Sequence, residues 1–226
     1  MSPSLKIRQT DDCVYAEPDA APSAAVIWLH GLGADGFDFV PVAEALALPT
    51  PPRYLFPNAP LRPITLNGGM PMRGWYDILS LDRNGLQDET GVRASAARVD
   101  GLIQAQIEAG IAAERIILAG FSQGGAIALH TALRHPLRLG GLLALSTYLP
   151  LAGQLASEAS AANRDLPILM CHGTRDPVLP AKLGEDSRDA LRAMGYSVQW
   201  QDYPMEHQVC LEEIELIGSW LRLRLD

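Results

Sequence analysis

The strongest indication of the fold lies in residues 116–129, which read Ile116-Ile117-Leu118-Ala119-Gly120-Phe121-Ser122-Gln123-Gly124-Gly125-Ala126-Ile127-Ala128-Leu129. An apolar, β-branched run predicts a strand, an amphipathic pattern predicts the helix that follows, and Gly-x-Ser-x-Gly lies between them. Glycines two residues to either side of Ser122 leave room for a strand and a helix to meet at a sharp turn. The stretch therefore predicts a nucleophile elbow that projects the Ser122 hydroxyl above a sheet. The alternative is a glycine-rich helix start at which Ser122 is only the N-cap.

Short apolar runs alternate with longer helical patterns along the whole chain, which is typical of an α/β fold with a mostly parallel sheet and helices on both faces. Their apolar continuity predicts strands that are buried on both faces. Strands are predicted at residues 25–29, 53–56, 115–119, 141–145, 167–171 and 197–202, with an antiparallel edge hairpin from 5–8 and 13–16. Helices are predicted at residues 39–48, 92–108, 123–134, 181–194 and 211–223.

Composition excludes several classes of protein. The chain has 226 residues, of which 48% are hydrophobic and 19% charged, as in ordinary globular domains. Its formal net charge of -8 offers no basic surface to nucleic acid. No apolar run reaches the length of about 18 residues that a membrane-spanning helix needs, and residues 1–12 lack the apolar core of a secretory signal. We expect a single domain over residues 1–226, located in the cytoplasm, with no nucleic-acid partner and no transmembrane segment.

The sequence shows no pattern of metal or cofactor binding. The three cysteines, Cys13, Cys171 and Cys210, are scattered and unpaired in spacing, which is typical of reduced thiols. The glycine-rich stretch after residue 29 lacks both the Gly-x-Gly-x-x-Gly spacing and the lysine of a phosphate-binding loop. We therefore expect neither a metal nor a cofactor.

A serine hydroxyl becomes a good nucleophile only when an imidazole removes its proton, so a histidine must reach Ser122. In folds with a nucleophile elbow, the expected order along the chain is serine, acid, then histidine. His130 and His135 belong to the helix after Ser122 and lie too far along it. His172 precedes every acid on the following loop and is expected to be structural. His207, between the last predicted strand and the last helix, is the predicted base; the alternative is an exposed loop histidine.

The acid that orients this base is predicted to be Asp176. It lies on the loop Gly173-Thr174-Arg175-Asp176-Pro177, directly after a predicted strand, where its carboxylate can reach the far nitrogen of the imidazole. A buried carboxylate there fixes the tautomer and stabilises the imidazolium. Asp202 is the competitor, because it ends the last predicted strand only a few residues before His207.

Acyl transfer also needs backbone N–H groups directed at the developing oxyanion. Behind an elbow, one donor is the residue after the nucleophile, here Gln123, and the other comes from a loop after an early strand. The run Ala25-Val26-Ile27-Trp28-Leu29-His30-Gly31-Leu32-Gly33-Ala34-Asp35-Gly36 is such a strand and loop. Leu32 is the predicted second donor.

Several segments together resemble the bacterial carboxylesterase and acyl-protein thioesterase family of α/β-hydrolases, over nearly the whole chain. They are residues 30–36 (HGLGADG), 72–77 (MRGWYD), 120–125 (GFSQGG), 172–178 (HGTRDPV) and 203–207 (YPMEH). The resemblance implies an α/β-hydrolase without a large cap domain, Ser122, Asp176 and His207 as the triad, and Leu32 and Gln123 as oxyanion donors. It places Trp75 in the acyl-side substrate loop and suggests a homodimer. One departure is Glu206, where relatives often have glycine.

The first functional hypothesis is a serine carboxylesterase that hydrolyses short- to medium-chain carboxylic esters through an acyl-enzyme. The resemblance also admits an acyl-protein thioesterase or lysophospholipase, whose substrates are S-acylated proteins or lysophospholipids and which needs an apolar channel for a long chain. A third hypothesis is a binding protein that has lost catalysis, although every catalytic position is filled here.

Overall fold

The computed structural model describes residues 5–80 and 86–225. Its strands are β1 (Lys6–Gln9), β2 (Cys13–Glu17), β3 (Ala25–Leu29), β4 (Arg53–Pro57), β5 (Leu61–Ile64), β6 (Met70–Arg73), β7 (Ile116–Phe121), β8 (Gly141–Leu145), β9 (Ile168–Gly173) and β10 (Val198–Tyr203). Its α-helices are α1 (Val40–Ala45), α2 (Glu89–Glu108), α3 (Gln123–Arg134), α4 (Ala152–Glu158), α5 (Ala181–Ala193) and α6 (Leu211–Leu225).

Eight strands form one sheet in the order β1-β2-β4-β3-β7-β8-β9-β10. From β4 to β10 neighbouring strands run parallel, whereas β1 and β2 form an antiparallel hairpin whose second strand pairs antiparallel with β4. The predicted α/β fold with a mostly parallel sheet is confirmed, and the predicted edge hairpin is present. Because parallel strands end at one edge of a sheet, the loops after β3, β7, β9 and β10 meet there.

The two faces of this sheet are covered by different helices. Along β3 and β7, alternate side chains such as Ile27 and Leu118 pack with apolar residues of α2, α3, α4 and α5. The intervening side chains, such as Val26 and Ile117, pack with α1 and α6 on the other face. A strand with helices on both sides buries every side chain, which explains the unbroken apolar runs of the sequence.

The prediction that every parallel strand is buried on both faces is wrong for β10. This strand is the last in the sheet, and its side chains are mostly partly or fully exposed. The sequence also did not reveal α4 or the small antiparallel sheet of β5 and β6. Each of these two strands contains a proline, Pro63 or Pro71, which is compatible with a strand only where its missing N–H is not needed.

Helix α6 begins with a buried carboxyl group that should make stability depend on pH. Glu213 is fully buried, and its carboxyl group faces the Cys171 thiol and the Cys210 backbone rather than a cationic side chain. Burial raises the pKa of this carboxyl from its ordinary 4.5 to about 8. The folded protein therefore holds a proton here that the unfolded chain releases at lower pH, so the free energy of unfolding falls as pH rises from about 4.5 to 8.

Replacing Glu213 by glutamine removes this ionisation while keeping the shape of the side chain. We expect Glu213→Gln to flatten the decline in unfolding free energy between pH 5.5 and 8.5, with a gain on the order of 3 kcal/mol at the alkaline end. Urea unfolding at a series of pH values measures it. Glu215→Gln, at an exposed position of the same helix, is the control. A Glu213→Gln curve parallel to that of the unsubstituted protein would contradict the expectation.

Candidate active site

Ser122 lies at a strained turn between β7 and α3, with φ 54° and ψ -121°. It occupies the N-cap position of α3, yet its side chain makes no capping hydrogen bond, unlike the N-cap alternative. The flanking glycines are required by close packing: a Cβ on Gly120 would lie 2.4 Å from the Gly124 carbonyl carbon, and one on Gly124 would lie 2.3 Å from the Leu29 carbonyl oxygen. Strand and helix approach so closely that only glycine fits on either side of the serine.

Three of the predicted side chains meet above this turn. His207 Nε2 lies 2.9 Å from Ser122 Oγ, and His207 Nδ1 lies 2.6 Å from Asp176 Oδ2. The Asp176 side chain is fully buried and the His207 side chain is 16% exposed, so the imidazole lies between a shielded carboxylate and an accessible hydroxyl. The Phe121 ring packs against the imidazole with centroids 4.7 Å apart and limits its rotation.

The loop after β9 holds the Asp176 carboxylate in a fixed orientation. Its Oδ1 accepts hydrogen bonds from the backbone N–H groups of Val178 (2.9 Å) and Leu179 (2.8 Å), which leaves Oδ2 for His207. His172 is buried and its Nε2–H donates to the Leu179 carbonyl at 2.8 Å, which ties the two ends of the loop together. Burial lowers the pKa of His172, so it is neutral near pH 7. The expectation that His172 is structural agrees with this placement.

The other candidates for base and acid lie away from Ser122. Asp202 is exposed on the edge strand β10 and makes no hydrogen bond or ion pair with His207 in the described chain, so the structure brings Asp176 to the imidazole instead. His130 and His135 are buried in and after α3. Glu206 is exposed beside His207, as a side chain directed to solvent should be.

The predicted oxyanion donors border the serine. Gly31 passes so close that a Cβ on it would lie 3.6 Å from Ser122 Cβ, and the next residue, Leu32, lines the same cavity as Ser122 and Gln123. In the part of the chain that the structure describes, no acceptor takes the Leu32 N–H. Gln123 is the first residue of α3, where a helix leaves its N–H groups unpaired and its dipole positive.

The Gln123 side chain hydrogen bonds to the segment after β6 and so connects it to the turn that carries Ser122. Its Oε1 accepts the Trp75 N–H at 2.7 Å, and its Nε2 donates to the Tyr76 carbonyl at 2.7 Å. Trp75 is fully buried and its indole N–H donates to the His30 carbonyl at 2.9 Å. From this segment Tyr76 and Ile78 line the cavity, whereas Trp75 lies behind its wall, so substrate contact by Trp75 stays a prediction.

A cavity of about 440 Å³ opens beside Ser122, within the size range of small-molecule sites. Its wall is formed by the segments after β3, β6, β7, β8 and β9 and by α4 and α5, and most of its exposed surface is apolar. The apolar members include Leu32, Ile78, Leu149, Leu151, Leu179 and Leu183. The sequence did not identify these residues, because they come from distant segments that only the folded chain assembles.

The profile of the phospholipase/carboxylesterase family matches residues 11–225. The chain belongs to the phospholipase/carboxylesterase family. It is a serine hydrolase with the α/β-hydrolase fold, as the resemblance implied.

Relatives within the phospholipase/carboxylesterase family extend over most of the chain. Acyl-protein thioesterase 1 of Neurospora crassa is 42% identical over 219 residues, which is 91% of this chain and 89% of the relative. Acyl-protein thioesterase 1 of Cryptococcus neoformans is 39% identical over 222 residues, covering 90% and 93%. The crystal structure of Zea mays acyl-protein thioesterase 2 superimposes with a TM-score of 0.86 at 33% identity, covering 95% and 99%. These relatives are eukaryotic, so the resemblance is not confined to bacterial proteins.

Across residues 5–80 and 86–225, the structure contains no cluster of three or more histidine, cysteine, aspartate or glutamate side chains able to hold a metal ion. Within the same ranges no helix is long and apolar enough to cross a membrane. The three cysteines are free thiols.

In this member of the phospholipase/carboxylesterase family, His30 controls the loop that carries Leu32. The ring is buried, and its Nε2 accepts the Ala59 N–H at 3.0 Å, so the ring proton must lie on Nδ1. Nδ1–H donates to the Gly31 carbonyl at 2.6 Å, and burial lowers the pKa of His30, which keeps the ring neutral. That carbonyl and the Leu32 N–H belong to one peptide group. The bond therefore fixes and polarises the predicted oxyanion donor.

Two substitutions of His30 separate its two hydrogen bonds. Asparagine keeps an N–H near the Nδ1 position, whereas glutamine keeps an acceptor near the Nε2 position. We expect His30→Gln to lower kcat about tenfold or more and His30→Asn to lower it only a few-fold, with smaller changes in KM, because the oxyanion forms only in the transition state. Steady-state kinetics on p-nitrophenyl butyrate checks this. If kcat falls equally in both variants, and in proportion to the decrease in melting temperature, His30 has only a structural role.

Proposed function

We propose that this protein is an acyl-protein thioesterase-type hydrolase that removes long acyl chains from thioesters, with Ser122 as nucleophile, His207 as base and Asp176 as the acid that orients it. The observation that carries the proposal is the largely apolar cavity whose wall contains Ser122. Relatives at about 40% identity that are named acyl-protein thioesterase support the hydrolysis of thioesters. It replaces hydrolysis of short- to medium-chain esters, the first hypothesis from the sequence, as the favoured function.

The first half of the reaction transfers the acyl group to Ser122. His207 Nε2 takes the hydroxyl proton as Ser122 Oγ attacks the thioester carbonyl, and Asp176 stabilises the resulting imidazolium. The Leu32 and Gln123 N–H groups receive the negative charge on the carbonyl oxygen. When the tetrahedral intermediate collapses, the carbon–sulfur bond breaks and the thiol leaves with the proton from His207. A cysteine thiol has a pKa near 8.5, so it is a good leaving group at neutral pH.

The second half returns the enzyme to its starting state. His207 removes a proton from water, the hydroxide attacks the acyl-serine carbonyl, and the same two N–H groups hold the new oxyanion. Cleavage of the ester bond releases the fatty acid, and Ser122 regains its proton from His207. Throughout both halves the acyl chain stays in the apolar cavity, where burial of each CH₂ group contributes about 0.8 kcal/mol.

The proposal is tested with matched acyl donors. Thioesters of N-acetylcysteamine and oxygen esters of N-acetylethanolamine share one leaving-group skeleton and are prepared from acetyl to palmitoyl. We expect kcat/KM to rise by up to about fourfold for each added CH₂ until the cavity is full, and thioesters to exceed their oxygen esters. Activity confined to acetyl and butyryl groups would instead support the short-chain carboxylesterase.

A pair of variants on α5 ties the chain-length preference to this cavity. Ala190 lines the cavity, whereas Ala193 is exposed on the same helix and is not part of its wall. Ala190→Phe should reduce hydrolysis of palmitoyl substrates far more than that of acetyl substrates. Ala193→Phe should leave the chain-length profile unchanged. The same profile in both variants would show that the long chain binds elsewhere.

A further inference from the structure

Two tyrosines in the cavity wall form a contact that the reaction does not use. The hydroxyl groups of Tyr76 and Tyr148 lie 2.8 Å apart and hydrogen bond to each other. Tyr76 follows β6 and is buried, whereas Tyr148 follows β8 and is partly exposed. Both residues line the cavity that opens at Ser122.

The two tyrosine hydroxyls have one more O–H donor than the hydrogen bond between them uses. Burial raises the pKa of both phenols, so both carry their protons at neutral pH. One of the two O–H protons lies between the oxygens and forms their hydrogen bond, whichever tyrosine donates it. The other has no acceptor among the residues that the structure describes. The pair therefore leaves one unpaired O–H group in the cavity wall.

Hydrogen bonds hold the backbone segments that carry the two tyrosines. The Tyr76 carbonyl is bound by the Gln123 side chain at 2.7 Å, which joins Tyr76 to the residue next to Ser122. Beyond Tyr148, the Leu149 N–H donates to the Ser187 hydroxyl of α5 at 2.8 Å. Both backbones are thus fixed to elements that form the cavity.

We propose that the Tyr76–Tyr148 pair is a hydrogen-bonding subsite for acyl chains that carry an oxygen atom within the chain, such as hydroxy-, oxo- or ether-containing acyl groups. The proposal rests on the proposed function, since it assumes that the acyl chain occupies this cavity. An all-methylene chain covers the spare O–H without supplying an acceptor, and an unpaired buried donor is costly. A chain with an oxygen at the depth of the tyrosines satisfies the donor and is bound better.

Ether analogues test the subsite without adding a donor or allowing the substrate to form a lactone. The p-nitrophenyl ester of octanoic acid is compared with esters in which one CH₂, from position 4 to position 7, is replaced by oxygen. Each rate is divided by the spontaneous hydrolysis rate of the same ester. The double variant Tyr76→Phe/Tyr148→Phe removes both hydroxyls and keeps both rings, so it corrects for the lower hydrophobicity of an ether.

The expected result is a coupling between enzyme and substrate at one oxygen position. There, the ratio of kcat/KM for the ether to that for octanoate should be about five- to thirtyfold higher in the unsubstituted enzyme than in the double variant. Each single variant retains one O–H and should keep part of the preference. Tyr196→Phe, which removes a buried hydroxyl outside the cavity, should keep all of it.

A ratio that agrees within twofold between the unsubstituted enzyme and the double variant at every position would overturn the subsite and leave the pair a structural contact. This outcome is distinct from failure of the proposed function. If the enzyme hydrolyses neither octanoate nor any ether analogue while the protein is folded, the acyl hydrolase itself is refuted, together with the subsite.

Discussion

Replacement of Ser122 by alanine should lower kcat/KM for p-nitrophenyl butyrate at least about 10⁴-fold. The loss is this large because no other hydroxyl lies at hydrogen-bonding distance from His207 Nε2 in the described chain. The residual rate would come from the help that the proposed oxyanion donors, Leu32 and Gln123, give to direct attack by water. Alanine has a Cβ as serine does, so it meets the same strain at these backbone angles. The fold should therefore persist. Stopped assays at high enzyme concentration, with kcat and KM separated, measure the residual activity.

Ser146 is the matched control for this experiment. It is also a buried serine with a positive φ, of 44°, after the neighbouring strand β8, and its hydroxyl has no partner in the described chain. Ser146→Ala should retain activity within a few-fold. Labelling with a fluorophosphonate probe adds a direct readout: the unsubstituted protein and Ser146→Ala should be labelled, and Ser122→Ala should not. Near-full activity of Ser122→Ala would remove Ser122 as the nucleophile.

The sequence predicted those parts of the fold whose local pattern and tertiary environment agree. Strand β3, helix α3 and the turn between β7 and α3 are such cases, since glycines at 120 and 124 are required by contacts that the motif already implies. Burial of β10 was predicted wrongly because its position at the sheet edge depends on strand order, which no local pattern encodes. The β5 and β6 hairpin was missed because each strand contains a proline, which is acceptable only where its missing N–H is not needed, as on the free edge of a two-stranded sheet.

The candidate site divides in the same way. Serine, acid and base follow one another in an order that the elbow imposes, so residues far apart in sequence were assigned before any contact was known. His30 and the Tyr76–Tyr148 pair were not assigned, because their roles follow from hydrogen bonds between distant segments. A histidine directly before the oxyanion loop was the available signal for His30. No signal in the sequence pairs residue 76 with residue 148.

Replacement of Asp176 by asparagine should lower kcat about 10³- to 10⁴-fold while leaving the fold intact. The reason lies in how the loop binds this side chain. Because Oδ1 accepts two backbone N–H groups, an asparagine must place its carbonyl oxygen there and turn its NH₂ group toward His207 Nδ1. Nδ1 must then be the acceptor, and the ring proton moves to Nε2. A proton on Nε2 faces the Ser122 hydroxyl and prevents His207 from acting as base.

Asp202→Asn is the control, because Asp202 is the other acid close to His207 in sequence and lies exposed on β10. It should change kcat less than twofold. Kinetics at pH 7.5, with urea unfolding to confirm that each variant is folded, distinguishes the two positions. If Asp202→Asn causes the larger loss, the imidazole is oriented from the edge strand and the buried carboxylate belongs to the scaffold. If Asp176→Asn causes the larger loss, the two backbone N–H groups that bind this side chain determine which nitrogen of His207 carries the proton. The position of that proton then determines whether Ser122 can react.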